Sequence, residues 1–437
     1  MTAPDRKEDA SLSATNEEAI KFMDSFLKEF PIPLGPEAPL PVKPLNNTVS
    51  REEVHGESLE LALRLLQDRN LPHRLSAALC HEAAAALLQS DLRSFQNQQE
   101  SQEEETLLDS VPLLCSLINT LRDVCCVWQK HPPYFETETR VLQTSVHAIK
   151  NTRRKMEDRH VIVTEFNQLF GIQDQINRSY FAVFDGHGGL DAATYAATHI
   201  HVKVAESELL QSKAGEALQI AFKKTDEMFL LKAKRQRLRS GATGVAALIC
   251  DDMLHVAWLG DSQVVLVRKG QVVTLMDPHK PEREDERERI EALGGCVAFM
   301  GCWRVNGTIA VSRAIGDIDQ KPYISGDADR ASFQLTGTED YLLLACDGFF
   351  DTVKPYDIVS VVLDYLRENQ GDGSKVAEKL VTEAKVNGSS DNITVLVVFL
   401  KDPKVILQEA GELEESSSAP FIFFRDVAEN QNNTLSA

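Results

Sequence analysis

The sequence predicts an α+β fold: a central antiparallel β-sandwich flanked by helices and preceded by a mainly helical N-terminal region. Three observations carry this expectation. Between about residues 52 and 135, apolar residues recur at the three- to four-residue spacing of amphipathic helices. From about residue 141, short continuous apolar runs appear, each closed by a polar or glycine-containing turn, as strands buried on both faces read. These runs cluster instead of alternating regularly with helices, which favours a sandwich over a doubly wound parallel sheet.

The elements follow in order. Residues 1–51 are expected to be disordered: Pro31, Pro33, Pro36, Pro39, Pro41 and Pro44 preclude regular structure, and only 19–30 form a short amphipathic piece able to dock. In the helical region 52–135, Leu59, Leu61, Ala62, Leu65 and Leu66 mark a first helix that Pro72 ends. A second helix covers 75–92, residues 96–105 form an acidic linker, and a third helix covers 107–128 before Pro132 and Pro133 close the unit. In the domain 141–402, strands are predicted at 180–184, 245–249, 255–259, 264–267, 341–346 and 393–400. Helices are predicted at 192–206, 214–239, 283–293, 355–367 and 375–386. Residues 403–437 read as a disordered tail, with an apolar island at 421–424.

The formal net charge is −20 over 437 residues, which argues against a nucleic-acid or anionic-membrane binder. None of the eight cysteines forms a Cys-x-x-Cys pair, so a zinc site is not indicated and reduced thiols are expected. The first fourteen residues contain no apolar signal core, and no apolar run approaches the ~18–20 residues of a membrane helix. The expectation is an intracellular, cytoplasmic protein.

Four aspartates stand out by position. Asp185 follows the run YFAVF, Asp347 follows YLLLAC, Asp391 precedes ITVLVVFL, and Asp261 occupies the turn in WLGDSQVV. Singly, each is a turn residue. Together they put carboxylates at the ends of several buried strands with no basic residue to match, an arrangement relieved by cations or protons. Oxygen donors alone point to Mg²⁺ or Mn²⁺. Gly186 lets a backbone carbonyl approach a cation, and His187 is placed for general-acid work. Upstream, NTRRKMEDRH gathers Arg153, Glu157 and Asp158, and arginine beside acidic metal ligands suits a phosphate ester.

In this order the segments resemble the metal-dependent, type 2C serine/threonine protein phosphatases. The carrying motifs are Arg153-x-x-Met156-Glu157-Asp158, YFAVFDGHGG, SGATGVAA, LGDSQV, RVNGTIAVSRAIGD, LACDGFFD and Asp391-Asn392, spread over about residues 141–400. The resemblance is closer to the calmodulin-dependent protein kinase phosphatase branch and extends to EEVHGESLELAL and LSAALCHEAAAALLQSDL. A departure is that of that branch's long acidic run only Glu103, Glu104 and Glu105 remain.

The resemblance implies that 141–402 is a phosphatase catalytic domain holding two Mg²⁺ or Mn²⁺ ions. Asp185 would bridge both, with Glu157 and the Gly186 carbonyl on one and Asp347 and Asp391 on the other. Asp261, with Asp347, would hold a weaker third. Asp158 and Asp351 would hold metal-bound waters, Arg153 would bind the substrate phosphate, and His187 would protonate the departing seryl or threonyl oxygen. Hydrolysis of phosphoserine and phosphothreonine by a two-metal-activated hydroxide follows, with phosphorylated protein kinases, including calmodulin-dependent ones, as implied partners. A regulatory protein on the N-terminal helices is a further implied partner. The alternatives are a non-catalytic scaffold of the same fold and a metal-dependent phosphoesterase on non-protein substrates. The basic stretch 223–239 reads as the solvated face of a packed helix before it reads as a calmodulin target, and 306–317 reads as a loop of a flap.

Overall fold

The computed structural model describes residues 6–67, 69, 71–97, 106–133 and 142–418. The N-terminal region runs α1 (Arg6–Glu29), β1 (Thr48–Ser50), α2 (Val54–Gln67), α3 (His73–Gln89), β2 (Leu107–Asp109) and α4 (Ser110–Trp128). The expectation of disorder over 1–51 is corrected here. The prolines begin only after α1 has ended, so they never compete with it. Ala19, Met23, Phe26 and Phe30 recur on one face and are buried. The proline segment is pinned to α4: Asn119 Nδ2 donates to the Leu34 carbonyl (3.1 Å), and Arg122 donates to the carbonyls of Phe30 and Pro31 (3.0 Å each).

Contrary to the sequence reading, α4 is long and apolar enough to cross a membrane by length and composition. Its Leu113, Leu114, Leu117, Ile118 and Leu121 are instead buried in the core shared with α1, α2 and α3, which accounts for its composition.

The remainder runs β3 (Thr144–Ile149), β4 (Arg159–Val163), α5 (Phe166–Phe170), β5 (Arg178–His187), α6 (Asp191–Ala205), α7 (Ala214–Gln236), β6 (Gly241–Cys250), β7 (Met253–Leu259), β8 (Gln263–Arg268) and β9 (Gln271–Thr274). It continues with α8 (Glu284–Ala292), β10 (Val297–Phe299), β11 (Trp303–Val305), β12 (Ile315–Gly316), β13 (Asp329–Gln334), β14 (Glu339–Ala345), α9 (Asp347–Phe350), α10 (Pro355–Glu368), α11 (Val376–Val386), β15 (Ile393–Phe399) and α12 (Pro403–Ser418). The disordered-tail expectation is therefore also corrected: α12 continues the chain, and its Ile406 is buried beside α10. Residues 421–424 and Glu103, Glu104 and Glu105 lie outside the described residues.

Two antiparallel sheets form the predicted sandwich, in the orders β13-β7-β6-β5-β4 and β3-β15-β14-β8-β9. Phe181, Val183, Val245 and Val256 of the first meet Val264, Leu266, Leu342, Leu344 and Leu396 of the second between the sheets. Alternate residues point outward: Tyr180, Ala182 and Phe184 pack under α6 and α7, while Leu343, Val395 and Val397 pack under α10 and α11. The outer core under α6 and α7 is continuous with that of α1 to α4. Residues 284–324 form a separate small cluster around Ile290, Val305 and Ile324.

Candidate metal centre and active site

The central strands bring the singled-out residues to one rim. Asp185 lies within β5, which continues to His187, rather than at its end, and pairs with Thr243 of β6. Asp347 is the first residue of α9, two residues beyond the end of β14, and Asp391 lies two residues before β15 begins. Asp261 occupies the turn between β7 and β8, and Glu157 and Asp158 lead into β4. They meet at a cleft of about 830 Å³ whose walls include Arg153, Glu157, Asp185, His187, Asp261 and Asp347, with Gly186 and Asp391 also on them. Asp158 lies beneath this wall, and Asp351, exposed at the end of α9, is not part of it.

Close backbone approach explains two glycines. A Cβ on Gly186 would lie 2.5 Å from the Glu157 carbonyl oxygen, and one on Gly348 would lie 2.0 Å from that of Asn392. Asn392 itself ties the rim together. Its Oδ1 accepts from the Glu157 N–H (2.8 Å), its Nδ2 donates to the carbonyls of Lys150 (2.9 Å) and Lys155 (3.0 Å), and its N–H donates to Asp391 Oδ1 (2.7 Å). The sequence reading quoted Asn392 only as half of a motif. Nothing but the i+1 spacing to Asp391 could have signalled this role.

Electrostatics decide what the cleft can hold. Burial, and then the negative charges of Asp347, Asp158 and Asp261, push the Asp185 carboxyl well above the usual range. Burial followed by Asp347 raises Asp261, Lys280 only partly offsetting it, and burial raises Asp347. Burial also raises Asp158. Asp158 Oδ2 accepts from Thr394 Oγ1 (2.6 Å), and its Oδ1 is buried without a nitrogen or oxygen partner among the described residues, the Cys346 thiol lying close by. Ligand atoms of Asp158, Asp185 and Cys346 lie within 4.8 Å of one another. A buried carboxylate oxygen among mutually repelling carboxylates fits a hard divalent cation. The Cys346 thiol does not belong to the donor set: burial raises it well above its ordinary range, and Sγ accepts from Thr394 N–H (3.2 Å) and donates to the Asn392 carbonyl (3.5 Å).

Two further contacts bear on chemistry. Arg153 ion-pairs with Asp391 while its side chain stays 60% exposed at the mouth. His187 Nε2 lies 2.8 Å from Asp317 Oδ2. Burial would lower the His187 pKa, but the hydrogen bond and charge of Asp317 outweigh it and hold it above the ordinary value. In the sequence Asp317 is only the last residue of the 306–317 stretch that reads as a flap loop. Its Gly316-Asp317 sequence looks like any turn, and nothing local shows that the turn folds back onto β5. Gly241 makes room for the pair, since a Cβ there would lie 2.2 Å from Asp317 Oδ2 and 2.4 Å from His187 Nε2.

The family model described as Protein phosphatase 2C matches residues 142–393. The chain belongs to the protein phosphatase 2C family. Like other members of this family it is a metal-dependent serine/threonine protein phosphatase, acting on phosphoproteins. This phosphatase 2C chain is 53% identical to Protein phosphatase 1F of Homo sapiens over 432 residues, covering 96% of this chain and 95% of that protein. It is 54% identical to Protein phosphatase 1E of Mus musculus across 88% of this chain, and spans about half (52%) of that longer protein. In fold it is similar to a solved C. elegans sex determining protein (TM-score 0.71, 22% identity, 91% of this chain and 97% of that one). It is also similar in fold to serine-threonine phosphatase 2C from Toxoplasma gondii (TM-score 0.55, 22% identity, 61% and 96%). The first of these likenesses extends through the N-terminal helices as well as the sandwich.

Proposed function

We propose that this cleft removes phosphate from phosphoserine and phosphothreonine with two Mg²⁺ or Mn²⁺ ions held by Glu157, Asp185, the Gly186 carbonyl, Asp347 and Asp391. A weaker third ion is assigned to Asp261 with Asp347. The observation that carries this is the convergence of carboxylates on Asp185, whose own carboxyl is raised by burial and by the charges of Asp347, Asp158 and Asp261. When bound, such ions acidify water and neutralise charge on the phosphate. Asp158, anchored by Thr394 and with a ligand atom within 4.8 Å of one of Asp185, can orient a water beside the cluster. Arg153, exposed and ion-paired with Asp391, can turn its guanidinium fork onto two phosphate oxygens. His187, with Nε2 engaged by Asp317, has its other ring nitrogen left to pass a proton to the departing seryl or threonyl oxygen. Cys346, the thiol beside the cluster, is buried and hydrogen-bonded, which favours direct attack by water over a cysteinyl phosphoenzyme.

The test is hydrolysis of a phosphothreonine peptide with Mn²⁺ or Mg²⁺, with excess chelator, and by Asp185→Asn. Turnover is expected only in the first, and near-normal activity of folded Asp185→Asn would refute the two-metal assignment. No turnover in any sample would favour a scaffold.

Phosphorylated protein kinases, calmodulin-dependent ones among them, are the proposed substrates, supported by the branch-level motif resemblance. Equal turnover on such a kinase and on an unrelated phosphoprotein would sink that idea. For the N-terminal helices, the shared core supports a stabilising layer; regulatory-protein binding there is a second proposal. An intracellular, cytoplasmic location is supported by eight free cysteines.

A further inference from the structure

Asp226 lies on α7, is not part of the cleft wall, and takes no part in the chemistry above. It is nevertheless a buried carboxylate, 6% exposed, which is costly unless its oxygens are engaged. Both are engaged by the same piece of chain. Oδ1 accepts the Gly316 N–H at 2.7 Å, and Oδ2 accepts from Lys321 Nζ at 2.8 Å. Between these two partners lies Asp317. The intervening residues make a tight turn, Ile318–Gln320, whose Gln320 N–H donates to the Asp317 carbonyl at 2.8 Å. A further strand of chain closes over Asp226, because a Cβ on Gly326 would lie 2.0 Å from Oδ2.

Gly316 has φ +82°, which a glycine adopts freely, whereas Asp317 has φ +48°, a left-handed conformation uncommon for a residue with a side chain unless its surroundings impose it. From the strand side, the imposition is a short backbone pairing of β12 with β6 and the Asp317 N–H donating to the Ser240 carbonyl (3.2 Å). From the helix side, Asp226 grips both flanks of the turn.

We infer that Asp226 is a positioning residue for the proton donor: through Gly316 and Lys321 it fixes the turn that places Asp317 against His187. The inference rests on the reading of His187 as the donor to the leaving oxygen. It assigns α7 a function in turnover beyond covering the sheet.

The experiment compares two substrates of the full-length, metal-loaded enzyme. A phosphothreonine peptide needs a proton on its departing alkoxide. p-Nitrophenyl phosphate releases a stable phenolate that needs none. Asp226→Ala is expected to lower kcat on the peptide by about tenfold or more, with KM changed less than about twofold. Its kcat on p-nitrophenyl phosphate falls much less, so the ratio of the two drops. His187→Gln should drop the same ratio further, and adding Asp226→Ala to it should cause no additional drop. Equal losses on both substrates, an unchanged ratio, or additive losses in the double variant would overturn the positioning role. An unchanged ratio in His187→Gln would overturn the donor reading and this inference with it, whereas a drop there and none in Asp226→Ala overturns the inference alone. Should Asp226→Ala fail to fold, Asp226→Asn, which keeps the acceptor for Gly316 but loses the ion pair, takes its place with the same ratio as readout.

Discussion

Glu57 of α2 is buried where the N-terminal helices meet α6 and α7, close to Glu53 and Lys232. Burial pushes its carboxyl up to about 7, against the attraction of Lys232 and a hydrogen bond from Asn46. The ordinary value is 4.5. Between those limits the folded protein keeps a proton that the unfolded chain has lost, so this residue's contribution to stability falls as pH rises through that window. Glu57→Gln keeps an acceptor for Asn46 and removes the charge. It should stabilise the protein by about 1–3 kcal/mol at pH 8 and by nothing measurable near pH 4. Urea unfolding at the two pH values measures this, and an equal gain at both would show that charge is not the cause. At this scale much of the candidate site was legible in the sequence. Asp185, Asp261, Asp347 and Asp391 interrupt or end apolar runs, and that local contrast needs no tertiary information. Asp317, Asn392 and Asp226 were not legible. Each works through a partner at least dozens of residues away in the chain: His187 for Asp317, the Glu157 N–H for Asn392, and Gly316 for Asp226.

Strands show the same division at the scale of elements. The six predicted strands are β5, β6, β7, β8, β14 and β15, which occupy the interiors of the two sheets. The four that escaped prediction within those orders, β3, β4, β9 and β13, are the edges. Edge strands such as β13 are partly solvated on both sides and carry no continuous apolar run, so the signal that marks a central strand is absent from them. Of α1, the stretch from residue 19 reads as amphipathic, and the prolines that suggest disorder begin after the helix has ended. Its attachment is testable. Phe26 is 1% exposed and stacks between Phe22 and Phe30 at centroid distances of 5.6 and 4.8 Å. Phe26→Ala should cost about 3–5 kcal/mol if α1 unfolds together with the rest. A loss under about 1 kcal/mol in a urea titration would mean that α1 contributes little to the global transition.

For the molecule as a whole, the repelling carboxylates set activity against stability. The metal-free protein holds several of them together at one rim, and ions that bind only the folded state relieve the repulsion. Ion at a hundredfold excess over its Kd should add about 2.7 kcal/mol, read as a rise in Tm. Asp185→Asn should melt higher than the native protein without metal and lose most of the metal-induced rise. A native protein whose Tm ignores Mg²⁺ and Mn²⁺ would contradict the assignment independently of any activity measurement.

The core that α2 and α3 share with α5 and α6 has a consequence for inheritance. In this chain the outer layer of the catalytic half is finished by another segment. Recombination that moved the sandwich alone would deliver it with an uncovered greasy flank. A descendant of this gene that lost the helical half would therefore have to resurface that flank with polar side chains, whether or not the helices ever acquire a partner of their own.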